Sequence, residues 1–203
     1  MIITKIKGGL GNQLFQYAAG RAVALHHKVP LKLDTKIFET YKLHNGYRLD
    51  QFAIQAEIAA ENEIINLKGR SNLLFSSLRK AGLVKRKSYF KEKRSSYFDA
   101  SVFKNNCVYL DGYWQNELYF SDIRELLLQE LSPNNSMNDL GFAYLDSIKK
   151  SNSVSLHVRR GDYVNLKNIN VLDVDYYMKA AEYIRKNVEK PTFYIFSDDL
   201  EWC

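Results

Sequence analysis

The sequence predicts an α/β fold made of two Rossmann-like domains, the second of them truncated. The first observation is a strand at residues 2–6, a glycine-rich turn, a helix at 14–27 and a second strand at 30–34. This order of elements implies a parallel sheet. The second observation is that strands and helices alternate again after residue 150. The third is a turn-rich segment without apolar residues at 132–136, which separates the two regions.

The first domain is predicted to span residues 1–132. After the opening β-α-β unit, residues 55–67 favour a helix and residues 107–111 favour a strand. A last helix is expected to begin near Ser121 or Asp122, because both residue types cap helix N-termini. Its apolar face repeats at helical spacing, through Ile123, Leu126, Leu127 and Leu131.

The second domain is predicted to span residues 137–203. Its pattern is a helix at 139–150, a strand at 153–158, a helix at 176–188 and a strand at 192–196. Two clear strands are too few for a nucleotide-binding sheet that is covered on both faces. We therefore expect this domain to be truncated.

The composition is that of an ordinary globular protein. The chain has 203 residues, of which 46% are apolar and 13% aromatic. No run of 18 apolar residues is present, and the N-terminus lacks the pattern of a signal peptide. Two cysteines, Cys107 and Cys203, give neither a disulfide framework nor a metal spacing. These features predict a cytoplasmic protein, with contact at the inner face of the membrane as the alternative.

Positive charge is concentrated in one segment, residues 68–94. It holds ten basic residues against a single acid, Glu92, with leucines interleaved. Such a basic insertion can lie on an anionic membrane surface, where an enzyme would meet a lipid-linked glycan. A nucleic-acid patch is a rival interpretation, which we do not favour, and a solvated insertion is a further one.

The densest group of chemistry-bearing residues is the run from His157 to Tyr163, which reads HVRRGDY. It begins in the predicted strand at 153–158 and continues with Arg159, Arg160 and Gly161. In open α/β sheets ligands bind beyond the carboxyl ends of the strands. A guanidinium group keeps its charge and holds two phosphate oxygens at once. The run therefore predicts a site for a phosphate or diphosphate, although a purely structural ion pair with Asp162 is the simpler alternative.

A second candidate site is the glycine turn GGLGNQ at residues 8–13. Glycines let a backbone approach a ligand closely, and the amides at a helix N-terminus favour negative charge. Leu14 stands where the dinucleotide fingerprint G-x-G-x-x-G requires its third glycine. Asp34 nevertheless lies near the position of a ribose-binding acid, so a dinucleotide-dependent oxidoreductase stays open as an alternative.

Taken together, these segments resemble the α-1,2-fucosyltransferases of glycosyltransferase family 11, of bacterial type. The resemblance is carried by GGLGNQLFQYA at 8–18, DGYWQ at 111–115, HVRRGDY at 157–163 and FSDD at 196–199. It implies a GT-B-like fold and inverting transfer of fucose from GDP-fucose to a terminal galactose of a glycan. It also implies that no metal is required.

The resemblance and the residue chemistry together assign roles. The donor is expected to be held by Arg159, Arg160, Gly161, Ser197, Asp198 and Asp199. The catalytic group comprises Arg159, which stabilises the departing diphosphate, His157, which orients either the diphosphate or the arginine, and Asp162, a weak candidate base. The acceptor side or cleft is expected to contain Gly9, Gly11, Asn12, Gln13, Trp114 and Gln115.

Two further hypotheses compete with these roles. Asp173 and Asp175 resemble a manganese-binding D-x-D pair, but their place before the helix at 176–188 favours helix capping. For the whole chain, a non-catalytic protein that binds anions or a membrane surface is the third function considered.

Overall fold

A computed structural model describes residues 1–41, 45–69, 88–94, 97–133, 138–165 and 171–203, without the side chains of Asp162 and Asn165. Within it the chain divides into two units, Met1–Ser136 and Met137–Cys203. Each unit contains a parallel sheet, so the α/β class predicted from the sequence is confirmed.

The first unit is built on a five-stranded sheet in the order β3-β2-β1-β5-β4. Its strands are β1 (Ile2–Lys5), β2 (Leu31–Asp34), β3 (Glu57–Ile58), β4 (Tyr89–Lys91) and β5 (Val108–Asp111). Every neighbouring pair is parallel, so all five carboxyl ends lie at one edge of the sheet. Ile2 and Ile3 of the central strand are both fully buried, as expected for a strand with both faces covered.

Helices cover the two faces of this sheet. The long helix α1 (Leu10–His27) packs on the face that carries Ile2 and Leu110, and α3 (Arg124–Glu130) adds Leu127 to the same core. The short helix α2 (Glu61–Lys68) covers the opposite face with Ile64 and Leu67, which pack against Ile3 and Tyr109. Alternate residues of β1 therefore belong to different cores.

Three details of the first unit differ from the sequence prediction. Helix α1 begins at Leu10 rather than at residue 14, because Gln13 N–H already donates to Gly9 O at 3.1 Å. Residues 57–58 form an edge strand and not the start of a helix, since they pair with Lys32 and Leu33 of β2. Strand β4 was not predicted, because it is only three residues long and lies within the basic segment at 68–94.

The second unit contains α4 (Asp139–Lys149), β6 (Asn152–Val158), α5 (Val174–Asn187) and β7 (Pro191–Ser197). These four elements confirm the predicted ones within two residues at each end. Strands β6 and β7 are parallel and in register from Asn152↔Pro191 to Val158↔Ser197. That register places the residues after both strands side by side.

The membrane-surface hypothesis concerns residues 68–94, of which 70–87 lie outside the described residues. Among the helices that the structure does describe, none combines the length and the apolar character needed to cross a bilayer.

Candidate active site

The carboxyl ends of β6 and β7 bring the predicted donor residues together. Val158 pairs with Ser197 at the last register position, so Arg159, Arg160 and Gly161 emerge beside Asp198 and Asp199. Nearly 40 residues separate the two segments along the chain. The sheet therefore assembles one cluster from the two motifs that the sequence had singled out.

Asp198 binds the backbone of the turn that follows β6. Its Oδ1 accepts hydrogen bonds from the N–H groups of Arg160 at 2.9 Å and Gly161 at 3.0 Å. Its Oδ2 lies 3.5 Å from Nε of Arg159. The amide of Arg160 first, then that of Gly161 and the charge of Arg159, hold the pKa of Asp198 below its ordinary value. A Cβ at Gly161 would come within 2.5 Å of this carboxylate, so a larger residue there would displace the Asp198 side chain.

Asp199 fixes the second arginine. Arg160 Nε donates to Asp199 Oδ2 at 3.0 Å, and the same guanidinium lies over the Trp202 ring at 4.3 Å. Ser197 Oγ accepts from the N–H of Asp199 at 2.9 Å, which closes the turn after β7. Arg160 is thus held by both a carboxylate and an aromatic ring.

Arg159 is the more accessible of the two arginines. Its side chain is 41% exposed, against 21% for Arg160. It lies over the Tyr163 ring at 4.8 Å, and its Nε lies 3.5 Å from Asp198 Oδ2. The geometry therefore favours Arg159 as the group that meets an anion.

The acids of this cluster were expected to contact a nucleotide directly. In the structure both carboxylates are engaged by this chain's own amides and arginines. These contacts hold the turn after β6 and the side chain of Arg160. His157 lies exposed on β6 opposite Phe196. The side chain of Asp162 lies outside the described residues, so its predicted role as a base stays a prediction.

Asp173 caps a helix, as predicted. Its side chain accepts from the N–H of Tyr176 at 2.9 Å, and Asp175 follows in the first turn of α5. The aspartate pair thus complements the helix dipole. Among the described residues no group of three or more acids, histidines or cysteines has the arrangement of a metal site.

The predicted acceptor residues lie at the carboxyl edge of the first unit's sheet. Gln115 Nε2 donates to Asn12 Oδ1 at 2.8 Å, although 103 residues separate them. Gly8 has a φ of 78°, and a Cβ there would lie 2.8 Å from Asn12 Nδ2. The glycine turn and the segment at 111–115 therefore meet, as their joint assignment to one side of the site requires.

Two of the predicted acceptor residues are buried beneath this edge. Gln13 is fully buried: its Nε2 donates to Gly8 O and Gly46 O, and its Oε1 accepts from Arg48 N–H. Trp114 is also fully buried. Neither side chain has a surface to offer a ligand, which corrects the expectation that they line the cleft. Gly9 caps α1, and Gly11 lies in the first turn of that helix rather than in a loop.

A charged cluster at the same edge was missed by the sequence analysis. Lys7 Nζ lies 3.1 Å from Asp111 Oδ1 and Lys5 Nζ lies 3.6 Å from Oδ2, while Tyr89 OH donates to Oδ2 at 2.7 Å. Burial would raise the pKa of Asp111, but the Tyr89 hydrogen bond and both lysines hold it below its ordinary value. The available signal was that Lys5, Lys7 and Asp111 all end or follow parallel strands.

Comparisons with known proteins agree on one family. The sequence profile of "Glycosyl transferase family 11" matches residues 81–203. The chain is 33% identical over 210 residues to an alpha-1,2-colitosyltransferase of Escherichia coli, covering 100% of this chain and 70% of that protein. It is 31% identical over 226 residues to the O-antigen biosynthesis glycosyltransferase WbnK of Escherichia coli, covering 98% and 72%.

One solved structure shares the fold. A FUT1 variant of Arabidopsis thaliana in complex with GDP superimposes with a TM-score of 0.51 at 12% identity, over 96% of this chain. This chain spans 52% of that protein, about half its length.

Proposed function

The chain belongs to glycosyltransferase family 11, and from that premise we propose that it transfers fucose from GDP-fucose to the 2-hydroxyl of a terminal galactose. The reaction inverts the anomeric carbon, because the galactose oxygen attacks it as the GDP diphosphate leaves. The new glycosidic bond forms as the bond from sugar to β-phosphate breaks, and the acceptor's proton goes to a base.

The observation that carries this proposal is the accessible guanidinium of Arg159 at the end of β6. The departing diphosphate gains negative charge on its β-phosphate, and a fixed cation beside it stabilises the transition state more than the ground state. Asp198 and Asp199 hold the neighbouring turn, so the cation is positioned before the substrate arrives. Arg160 and Gly161 complete the donor site, and His157 orients the diphosphate.

The two units are proposed to act as two Rossmann-like domains of a GT-B-like enzyme. The second unit would hold the donor through its strand-end arginines. The first would serve the acceptor through Asn12 and Gln115, which meet at its sheet edge. The acceptor is a galactose-containing glycan. A lipid-linked glycan at the inner face of the membrane fits the basic composition of residues 68–94.

The experiment that tests the proposal is thermal unfolding with added nucleotides. A ligand that binds only the native state stabilises it, by about 2.7 kcal/mol at 100 times its Kd. GDP should raise the melting temperature, while UDP and NAD should leave it unchanged. Stabilisation by NAD alone would favour the dinucleotide oxidoreductase. Indifference to every nucleotide, with binding to anionic vesicles, would favour the non-catalytic alternative.

The similarity to an alpha-1,2-colitosyltransferase over the whole chain supports a second candidate donor. Colitose is a deoxy sugar, and its GDP-activated form would present the same diphosphate to Arg159. Transfer assays with GDP-fucose and with GDP-colitose, on the same galactoside, give one kcat/KM value for each donor. The donor with the higher value is the preferred substrate.

Replacing Asn12 by alanine is expected to raise the acceptor KM or lower turnover, and to leave GDP affinity nearly intact. Asn12 belongs to the first unit and contacts Gln115 there, so its loss disturbs the acceptor side. Steady-state kinetics with varied acceptor, together with GDP titration, measure both effects. Gln115→Ala is the matched variant and should behave alike. A loss of GDP affinity in Asn12→Ala as large as that in Arg159→Ala would move the glycine turn to the donor site.

Chelation is expected to leave the transfer reaction unchanged. In the proposed reaction Arg159 supplies the positive charge that stabilises the leaving group. The Asp173 carboxylate accepts a hydrogen bond from the N–H of Tyr176 and acts as a helix cap. Activity should therefore be equal in EDTA and in added Mn²⁺. Abolition of activity by EDTA, with recovery on adding Mn²⁺, would contradict the proposal of a metal-independent enzyme.

A further inference from the structure

A cavity of 270 Å³ lies in the first unit beyond the carboxyl end of β4. Glu92, which directly follows β4, forms part of its wall. The lining also includes Arg94, Tyr97, Phe98, Asp99 and Tyr119. Its place is informative, because ligands of open α/β sheets bind at this edge.

At this wall the side chain of Glu92 binds a tightly turned segment of backbone, residues 112–114. Its carboxylate accepts from two successive amides, Tyr113 N–H at 2.6 Å and Trp114 N–H at 3.1 Å. A Cβ on Gly112 would come within 2.5 Å of Glu92 Cβ, so the turn passes too close for any other residue. Trp114 adopts a φ of 58°, in the left-handed region that non-glycine residues avoid. Strain of this kind is characteristic of binding sites.

Another part of the cavity wall is aromatic. The rings of Phe98 and Tyr119 are 4.9 Å apart. The Tyr119 hydroxyl donates to Tyr97 O at 2.9 Å and accepts from Asp99 N–H at the same distance. These two hydrogen bonds hold the ring in place. The guanidinium of Arg94 lies over the Tyr97 ring at 5.4 Å. Flat rings beside carboxylate acceptors thus face the cavity from neighbouring segments of chain.

We propose that this cavity binds one neutral pyranose ring of the acceptor glycan, an inference that rests on the proposed glycosyl transfer. Aromatic rings pack against the C–H face of a pyranose, and carboxylates accept from its hydroxyl groups. A carboxylate has about four lone-pair positions, and the two amides use only two of those on Glu92.

The size and charge of the cavity favour a small neutral ligand over the nucleotide-sugar donor. Ligand cavities for drug-sized molecules measure about 300–1,000 Å³, so this one suits a single sugar ring better than a whole nucleotide. Its lining contains two acids and two bases, Glu92 and Asp99 with Lys93 and Arg94, and selects no net charge. Two further cavities among the described residues of this unit, of 400 and 360 Å³, lie along the flank of α1.

The test measures binding of methyl β-galactopyranoside to the whole chain by saturation-transfer NMR without nucleotide, and GDP binding on the same samples. Tyr97→Ala removes an aromatic side chain that is 64% exposed, so the fold should be retained. The loss of one aromatic contact is expected to weaken sugar binding about fivefold to tenfold. Glu92→Gln should also weaken it, and GDP affinity should stay unchanged in both.

The matched control is Tyr183→Ala, which removes a tyrosine of similar exposure, 67%, on α5 outside the cavity. It should leave sugar binding unchanged. The inference is overturned if the unaltered chain gives no saturation transfer, if Tyr97→Ala binds the sugar normally, or if Tyr97→Ala loses GDP instead. Failure of the proposed function has a separate signature, the absence of stabilisation by GDP in the unaltered chain.

Discussion

Replacing Arg159 by alanine is expected to lower turnover by about 100- to 1000-fold, equivalent to about 2.7–4 kcal/mol of transition-state stabilisation. The reason is that Arg159 is the accessible cation of the cluster at the ends of β6 and β7. GDP affinity should fall as well, because in the proposed function the same charge faces the product diphosphate. Single-turnover kinetics and GDP titration measure the two losses independently.

Arg160→Ala is the natural control for this prediction. Its guanidinium is held by Asp199 and Trp202, and its side chain is half as exposed as that of Arg159. We therefore expect a clearly smaller loss of GDP affinity, with some loss of stability in the second unit. Arg159→Lys should recover part of the activity, because the charge stays while the planar fork is lost. Equal losses in both alanine variants, or a loss in Arg160→Ala alone, would contradict the assignment.

Replacing Glu130 by alanine is expected to destabilise the first unit by about 3–5 kcal/mol, as removal of one partner from a buried ion pair does. Glu130 is 5% exposed. It accepts from Arg21 through Nε at 3.0 Å and Nη2 at 2.7 Å, and from the Tyr17 hydroxyl at 2.5 Å. Burial and the hydrogen bond to Glu130 raise the pKa of Tyr17 well above its ordinary value. The variant would leave a nearly buried guanidinium without its counter-charge.

Guanidinium denaturation followed by circular dichroism checks this value, through the shift of the midpoint at constant slope. The control is Glu125→Ala, on the same helix. Glu125 is 82% exposed and pairs with Arg124 at the surface, so its loss should cost at most about 1 kcal/mol. If both variants unfolded at the same denaturant concentration, the three-residue network would have no special role in joining α1 to α3.

The elements with the strongest apolar pattern could be predicted from the sequence. Helix α1, strands β1 and β2 and all four elements of the second unit were recognised, because their side chains repeat at the period of one secondary structure. The two short edge strands, β3 and β4, were not predicted. A strand of two or three residues has too few positions to show a period, and its pairing partner decides its conformation.

For the candidate site too, some features could be predicted from the sequence and others could not. The sequence by itself determined which chemical groups follow each predicted element. These are two arginines after one strand, two aspartates after another and a glycine turn before a helix. It also determined that Asp173 caps α5, because capping depends on residues within one turn.

Only the tertiary structure decided what each of these residues does. Parallel pairing of β6 with β7 brings Asp198 and Asp199 to the arginines, where both acids accept hydrogen bonds from Arg160. Packing buries Gln13 and Trp114, while it brings together Lys7 and Asp111, which are distant along the chain. The physical reason is that burial and hydrogen-bond partners depend on contacts between distant segments, which the local pattern of a sequence does not record.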